Sequence, residues 1–192
     1  MATIRALRHH GGAAKEEYNT PSLERVQTGF ANLEKHIENC KKFGLNPVVA
    51  INAFPTDSEE EAQFIQDACA KLGVRAVMAR GWAQGGDGMT DLAQAVVEEV
   101  EAGKNNFQPL YSWEASIKEK IETIAKEIYG ADGVDYSKKA LTDLKSIEKL
   151  ELTQLPVCMA KTQKSFSDND KLVGRPTAVS YTHLTLPTTS RV

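Results

Sequence analysis

The 192-residue sequence is most informative first in what it lacks. It has only three cysteines, Cys40, Cys69 and Cys158. They are far apart and never in a C-x-x-C pair, which excludes a disulfide framework and a cysteine-based metal site. Two lie on apolar helical stripes and one in an expected strand, so buried reduced thiols and a cytoplasmic setting are expected. No apolar run approaches the roughly 18 residues that span a bilayer, and no signal peptide is visible at the start. Charge of one sign is also missing. A formal net charge of -3 gives no electrostatic footprint for nucleic acid or an anionic membrane surface. Neither the phosphate-loop string G-x-x-x-x-G-K-[ST] nor the dinucleotide string G-x-G-x-x-G occurs. The second absence counts against a Rossmann-like dehydrogenase. The nearest phosphate-loop string, Gly103-Lys104-Asn105, follows a helix and lacks the hydroxyl.

What is present centres on Pro47 to Asp57. Val48 to Ile51 is a continuous apolar run, as in a strand buried on both faces of a parallel sheet. The chain leaves it through Asn52, exposes Phe54-Pro55, and enters a helix behind Thr56, Asp57 or Ser58. Open α/β sheets bind ligands in the crevice beyond the carboxyl ends of their strands, where an aromatic beside a proline makes a ligand platform.

Taken in order, Ala2 to Leu7 reads as the end of a strand, followed by a turn at Arg8-His9-His10-Gly11-Gly12. Arg5, His9 and His10 are candidates to face a ligand there, or are simply polar residues of an exposed turn. A helix is expected over Pro21 to Phe43, with Leu23, Val26, Phe30, Leu33, Ile37 and Cys40 as one apolar stripe. Thr20 reads as its N-cap, Gly44 as its stop, and the charges opposite the stripe as a solvated surface. Glu59 to Leu72 reads as a second helix with Ala62, Ile65, Cys69 and Leu72 inward, and Gly73 ending it. Val74 to Ala79 is a strand that delivers the loop Arg80 to Gly88. Thr90 to Ala102 is a helix carrying Leu92, Ala93, Val96, Val97 and Val100 inward. This β-α-β-α-β-α order implies an α/β fold, a mostly parallel sheet flanked by helices.

Beyond Asn105 an apolar linker with Phe107, Pro109, Leu110, Tyr111 and Trp113 leads to a helix over Ile117, Ile121, Ile124 and Ile128. A short helix follows around Leu141, Leu144, Ile147 and Leu150. Leu155 to Ala160 reads as one more strand, delivering Lys161, Thr162 and Gln163 to its end. Three segments result: 1–104, an α/β ligand-binding portion; 105–177, a helical excursion returning to a strand; and 178–192, a threonine-rich tail resembling a translated sequencing adapter.

Several peptides in one order and spacing carry a family resemblance. They are Arg5-Ala6-Leu7 with His10-Gly11-Gly12, Asn32 to Asn39, Ala50 to Asp57, Trp82 to Gly88, Glu127 to Val134, and Met159 to Gln163. Together they closely resemble formate–tetrahydrofolate ligase. Arg80 stands where that family has a small polar residue, and Met89 where a glycine is usual. The resemblance implies a chain related to P-loop proteins and much longer than this one. It implies an enzyme making 10-formyltetrahydrofolate from formate, ATP and tetrahydrofolate through formyl phosphate, with Mg accompanying ATP and a homo-oligomer when full length. The phosphate loop would lie upstream, outside these residues, leaving the piece inactive alone and poorly soluble through its exposed sheet edge. By resemblance, Phe54, Pro55 and Trp82 are the pterin platform, and Asn52, Ala83, Gly85 and Gly86 lie near the nucleotide. Catalytic residues and a metal site are not assigned, nor is the chemistry of Lys161, Thr162 and Gln163. The alternative is a non-catalytic α/β binding or interaction module.

Overall fold

A computed structural model describes residues 1–159, 166–167 and 171–176. It divides into two compact units, the first comprising Met1–Gln108 with Val173–Arg175 and the second lying within Pro109–Leu172.

The first unit is built on two parallel strands, β1 (Val49–Asn52) and β2 (Ala76–Ala79). They pair in register from Val49 opposite Ala76 to Asn52 opposite Ala79. Val49, Ala50 and Ile51 are all buried, as a run without polar alternation requires of a strand covered on both faces. Ala2 adds a single parallel bridge on the other edge of β1, donating to Ala50 O and accepting from Asn52 N at 2.8 Å each.

The strand expected over Ala2 to Leu7 stops at that bridge. Helix α1 (Ile4–His10) begins at once, because the Thr3 hydroxyl accepts the Ala6 amide and caps it. Ile4, Leu7 and Arg8 then fall on one buried face. Arg8 is therefore an interior residue and no part of a turn; the turn begins at Gly11, with Gly12 at φ +86°.

Helix α2 (Leu23–Lys42) starts behind Ser22, two residues later than Thr20 would set it, and ends before Gly44 at φ +70°. Val26, Phe30, Leu33 and Ile37 are buried as its spacing implied, while Leu23 and Cys40 are half-buried. A Cβ on Gly29 would lie 1.9 Å from Leu7 O, so the missing side chain is what lets α1 lie against α2. The opposite face is only partly solvated. Asn32, Lys35 and Asn39 are buried, and the 173–175 segment lies there. Asn32 Nδ2 donates to Gly174 O at 2.9 Å, and Arg175 makes a two-pronged pair with Glu38 at 2.8 Å each.

Helix α3 (Glu59–Lys71) begins with a capping box in which Ser58 and Glu61 satisfy each other's amides. Its Ala62, Ile65 and Cys69 join the core formed by α1, α2 and β1. A one-turn helix α4 (Gly81–Gln84) follows β2, then a 3₁₀ turn at Asp87–Met89 and helix α5 (Thr90–Glu101). The expected inward stripe of α5 is corrected by the structure. Ala95 is its one buried residue, whereas Val96, Val97 and Val100 are 45%, 47% and 69% exposed. The helix lies against β2, and the one residue it buries is small, while the valine face is turned outward.

The second unit packs α6 (Ile117–Glu127) and α7 (Lys138–Lys149) around Ile117, Ile121 and Leu144. The strand expected from Leu155 is not formed over Leu155–Met159. Its backbone is bound by side chains instead. The fully buried Lys120 ammonium donates to the carbonyls of Trp113, Thr153 and Leu155, and the Tyr111 hydroxyl accepts from Val157 N at 2.9 Å. Ala160, Lys161, Thr162 and Gln163, like residues 177–192, lie outside the described residues.

Candidate functional site

Because β1 and β2 run parallel and in register, the chain leaves both from one rim of the sheet. Ala53 N donates to Ala79 O at 3.0 Å, so the pairing continues one residue past β1. Asn52, half-buried, ends β1 at this rim.

The loop after β1 is a tight turn closed twice. Asp57 N donates to Phe54 O at 3.0 Å, and Phe54 N donates to Asp57 Oδ2 at 2.8 Å. Pro55, exposed, occupies the second position of the turn, where its fixed φ costs nothing. Phe54 is half-buried, and the Arg5 guanidinium lies over its ring at 5.4 Å from the centroid. Of the three residues that α1 offers as ligand candidates, Arg5 meets the rim loop. His9 Nδ1 is 2.6 Å from the Tyr18 hydroxyl, and His10 Nδ1 accepts the Gly174 amide at 3.0 Å.

Beneath the turn lies a buried ionic cluster that the residue pattern did not announce. Arg8 is fully buried and donates to Glu61 from Nε at 2.8 Å and from a terminal nitrogen at 2.6 Å. It also donates to Thr56 O at 3.2 Å and Tyr18 O at 2.8 Å, and stands 3.6 Å from Asp57. Glu61 accepts further bonds from Ser22 N, Ser58 N and Ser58 Oγ. Burial alone would raise its pKa, but bonds from Arg8, Ser22 and Ser58 outweigh that and hold it at about 2. Asp57 goes the other way: burial pushes its carboxyl up, and the Phe54 amide and the Arg8 charge only partly offset this. The one sequence signal for this cluster was the Ser58-x-x-Glu61 capping spacing; nothing local pointed to Arg8.

The loop after β2 is held by Arg80 N donating to Gly88 O at 2.9 Å. Gly88 permits this closure, since a Cβ there would sit 2.6 Å from Arg80 O. Met89 packs against Gly81 on the same turn. Trp82 on α4 is 78% exposed, and Ala83, Gly85 and Gly86 beside it are exposed too. Phe54, Pro55 and Trp82 thus sit on successive loops at one rim, where Asn52 ends β1 opposite Ala79 of β2. Among the described residues no three His, Cys, Asp or Glu side chains converge as a metal site, so none is assigned to magnesium. No helix of the described residues is long and apolar enough to cross a membrane.

Residues 1–184 match the sequence model of a family described as formate–tetrahydrofolate ligase, a match that covers both units and ends inside the threonine-rich tail.

Proposed function

The chain belongs to the formate–tetrahydrofolate ligase family, and on that premise we propose that the rim carrying Phe54, Pro55 and Trp82 is its pterin platform. The observation that carries this reading is Trp82. A tryptophan left 78% exposed, one strand over from a turn presenting Phe54, is a large apolar surface awaiting a flat partner. A pteridine ring between the two side chains gains burial and roughly 0.5–1.5 kcal/mol for each well-placed aromatic contact. The doubly closed Phe54–Asp57 turn supports the reading, because a platform fixed before binding loses little conformational entropy when the ring arrives.

In the proposed reaction ATP first phosphorylates formate. The amine of tetrahydrofolate then attacks the carbonyl carbon of formyl phosphate; the new C–N bond forms as the C–O bond to phosphate breaks. The family relation to P-loop proteins belongs to the same proposal. The P-loop signature is not found in these 192 residues, and no residue here is given a catalytic role. Asn52, Ala83, Gly85 and Gly86 are proposed to face the nucleotide beside the pterin. The polypeptide is therefore expected to bind tetrahydrofolate without turning over ATP by itself.

Binding can be read directly from Trp82. The sequence has two tryptophans, so Trp113→Phe leaves Trp82 as the sole indole emitter. Tetrahydrofolate should quench its emission saturably after correction for absorbance. A linear, unsaturable response would contradict the platform. Saturable quenching with ATP-dependent formyl transfer would contradict the assignment of phosphoryl chemistry elsewhere.

A further inference from the structure

Helix α1 reaches the rim loop with two arginines one turn apart, and they hold different parts of it. Arg8 fixes the backbone: it binds Thr56 O and Glu61, and faces Asp57, whose carboxylate in turn accepts the Phe54 amide. With the backbone set, the freedom left to Phe54 is its side-chain torsions, of which the ring torsion is broad and two-fold. Arg5 is the cation that meets the ring, at 5.4 Å from its centroid. No hydrogen bond or ion pair engages its guanidinium among the described residues, although its charge does reach Asp57. It stands on the same face of α1 as the buried Arg8, three residues on. A guanidinium is weakly hydrated and planar, and therefore suited to lie against an aromatic face.

We propose that Arg5 is a positioning residue for the pterin platform, holding the Phe54 ring by one face so that the other is presented to the ligand. The stack then runs guanidinium, Phe54, pteridine, Trp82. This rests on the reading of Phe54 and Trp82 as the platform. It gives α1 a role in ligand binding although none of its residues would touch the pteridine. Loss of Arg5 leaves the ring free to rotate, which weakens tetrahydrofolate binding without disturbing the fold.

The test uses the whole chain. Stacking on Phe54 should shift the Arg5 δ and ε protons upfield, and Phe54→Leu should return them to ordinary positions without any ligand present. Arg5→Gln should weaken tetrahydrofolate binding about 3- to 10-fold by calorimetry. Arg5→Lys, which keeps the cation, should restore affinity to within about two-fold. Both variants should melt within about 2 °C of wild type. Absence of the upfield displacement overturns the proposal whatever the ligand does. So does unchanged affinity in Arg5→Gln while Phe54→Ala binds poorly, which leaves the platform standing without Arg5. Failure of Arg5→Lys to restore affinity, together with a lowered melting temperature, assigns Arg5 a structural role and also overturns it. If neither Phe54→Ala nor Trp82→Ala alters binding, the platform itself fails and the proposal falls with it.

Discussion

Removing the Arg8 guanidinium strands the Glu61 carboxylate in the interior, where both groups are essentially inaccessible to solvent. Breaking one side of a buried pair in this way costs about 3–5 kcal/mol. Arg8→Ala should therefore lower stability by that amount in denaturant titrations. Arg8→Met combined with Glu61→Leu should recover part of the loss, because the stranded Glu61 charge is removed while Asp57 and the Ser22 and Ser58 amides still lose their partners. The pH dependence has a definite sign. Glu61 is depressed from 4.5 to about 2, so it contributes stability that is fully present above its unfolded pKa. That contribution is lost as pH falls from about 4.5 toward 2. Asp57 is raised and acts oppositely, lowering stability as pH climbs past 3.8. Urea unfolding between pH 2 and 7 should show the Glu61 loss in wild type and a much flatter acid limb in Glu61→Gln. An equally steep limb in that variant would contradict the assignment.

At the level of elements, the α1–α2 crossing depends on a hydrogen atom at Gly29. A methyl group there would lie 1.9 Å from Leu7 O, so Gly29→Ala must push the helices apart and open the core around Ile4 and Val26. A loss of about 3 kcal/mol is expected, measurable as a shift of the unfolding midpoint. Helix α2 itself was legible in the sequence, because its stripe repeats with helical period and Gly44 stands where a left-handed stop is needed. Strand β1 was legible for a similar reason, a short buried run framed by prolines. Helix α1 was not, since Ala2 to Leu7 is too short for periodicity to separate strand from helix. The Thr3 cap decided it. The segment from Leu155 forms no strand over Leu155–Met159 because the Leu155 carbonyl is taken by Lys120 and the Val157 amide by Tyr111, partners far away in the chain. The rim could be located from the strand ends, since parallel strands deliver their following loops to one side. Its supports could not be, because Arg5 over Phe54 and Arg8 on Glu61 join residues about 50 positions apart, beyond any local pattern.

For the molecule as a whole, the valine face of α5 carries the clearest consequence. Val96, Val97 and Val100 form a solvent-facing apolar patch at helical spacing, close to the outer strand β2. Patches of this kind beside a sheet edge favour self-association. Val97→Lys with Val100→Glu should raise the concentration at which the protein stays monodisperse by light scattering. The same pair should leave the melting temperature within about 2 °C of wild type, since neither side chain is packed. The central claim concerns the two rings at the rim, and calorimetric titration of tetrahydrofolate into wild type, Phe54→Ala and Trp82→Ala tests it most directly. The expected result is saturable binding by wild type and a loss of about ten-fold or more in each variant. Affinities within about two-fold of wild type in both variants would contradict it.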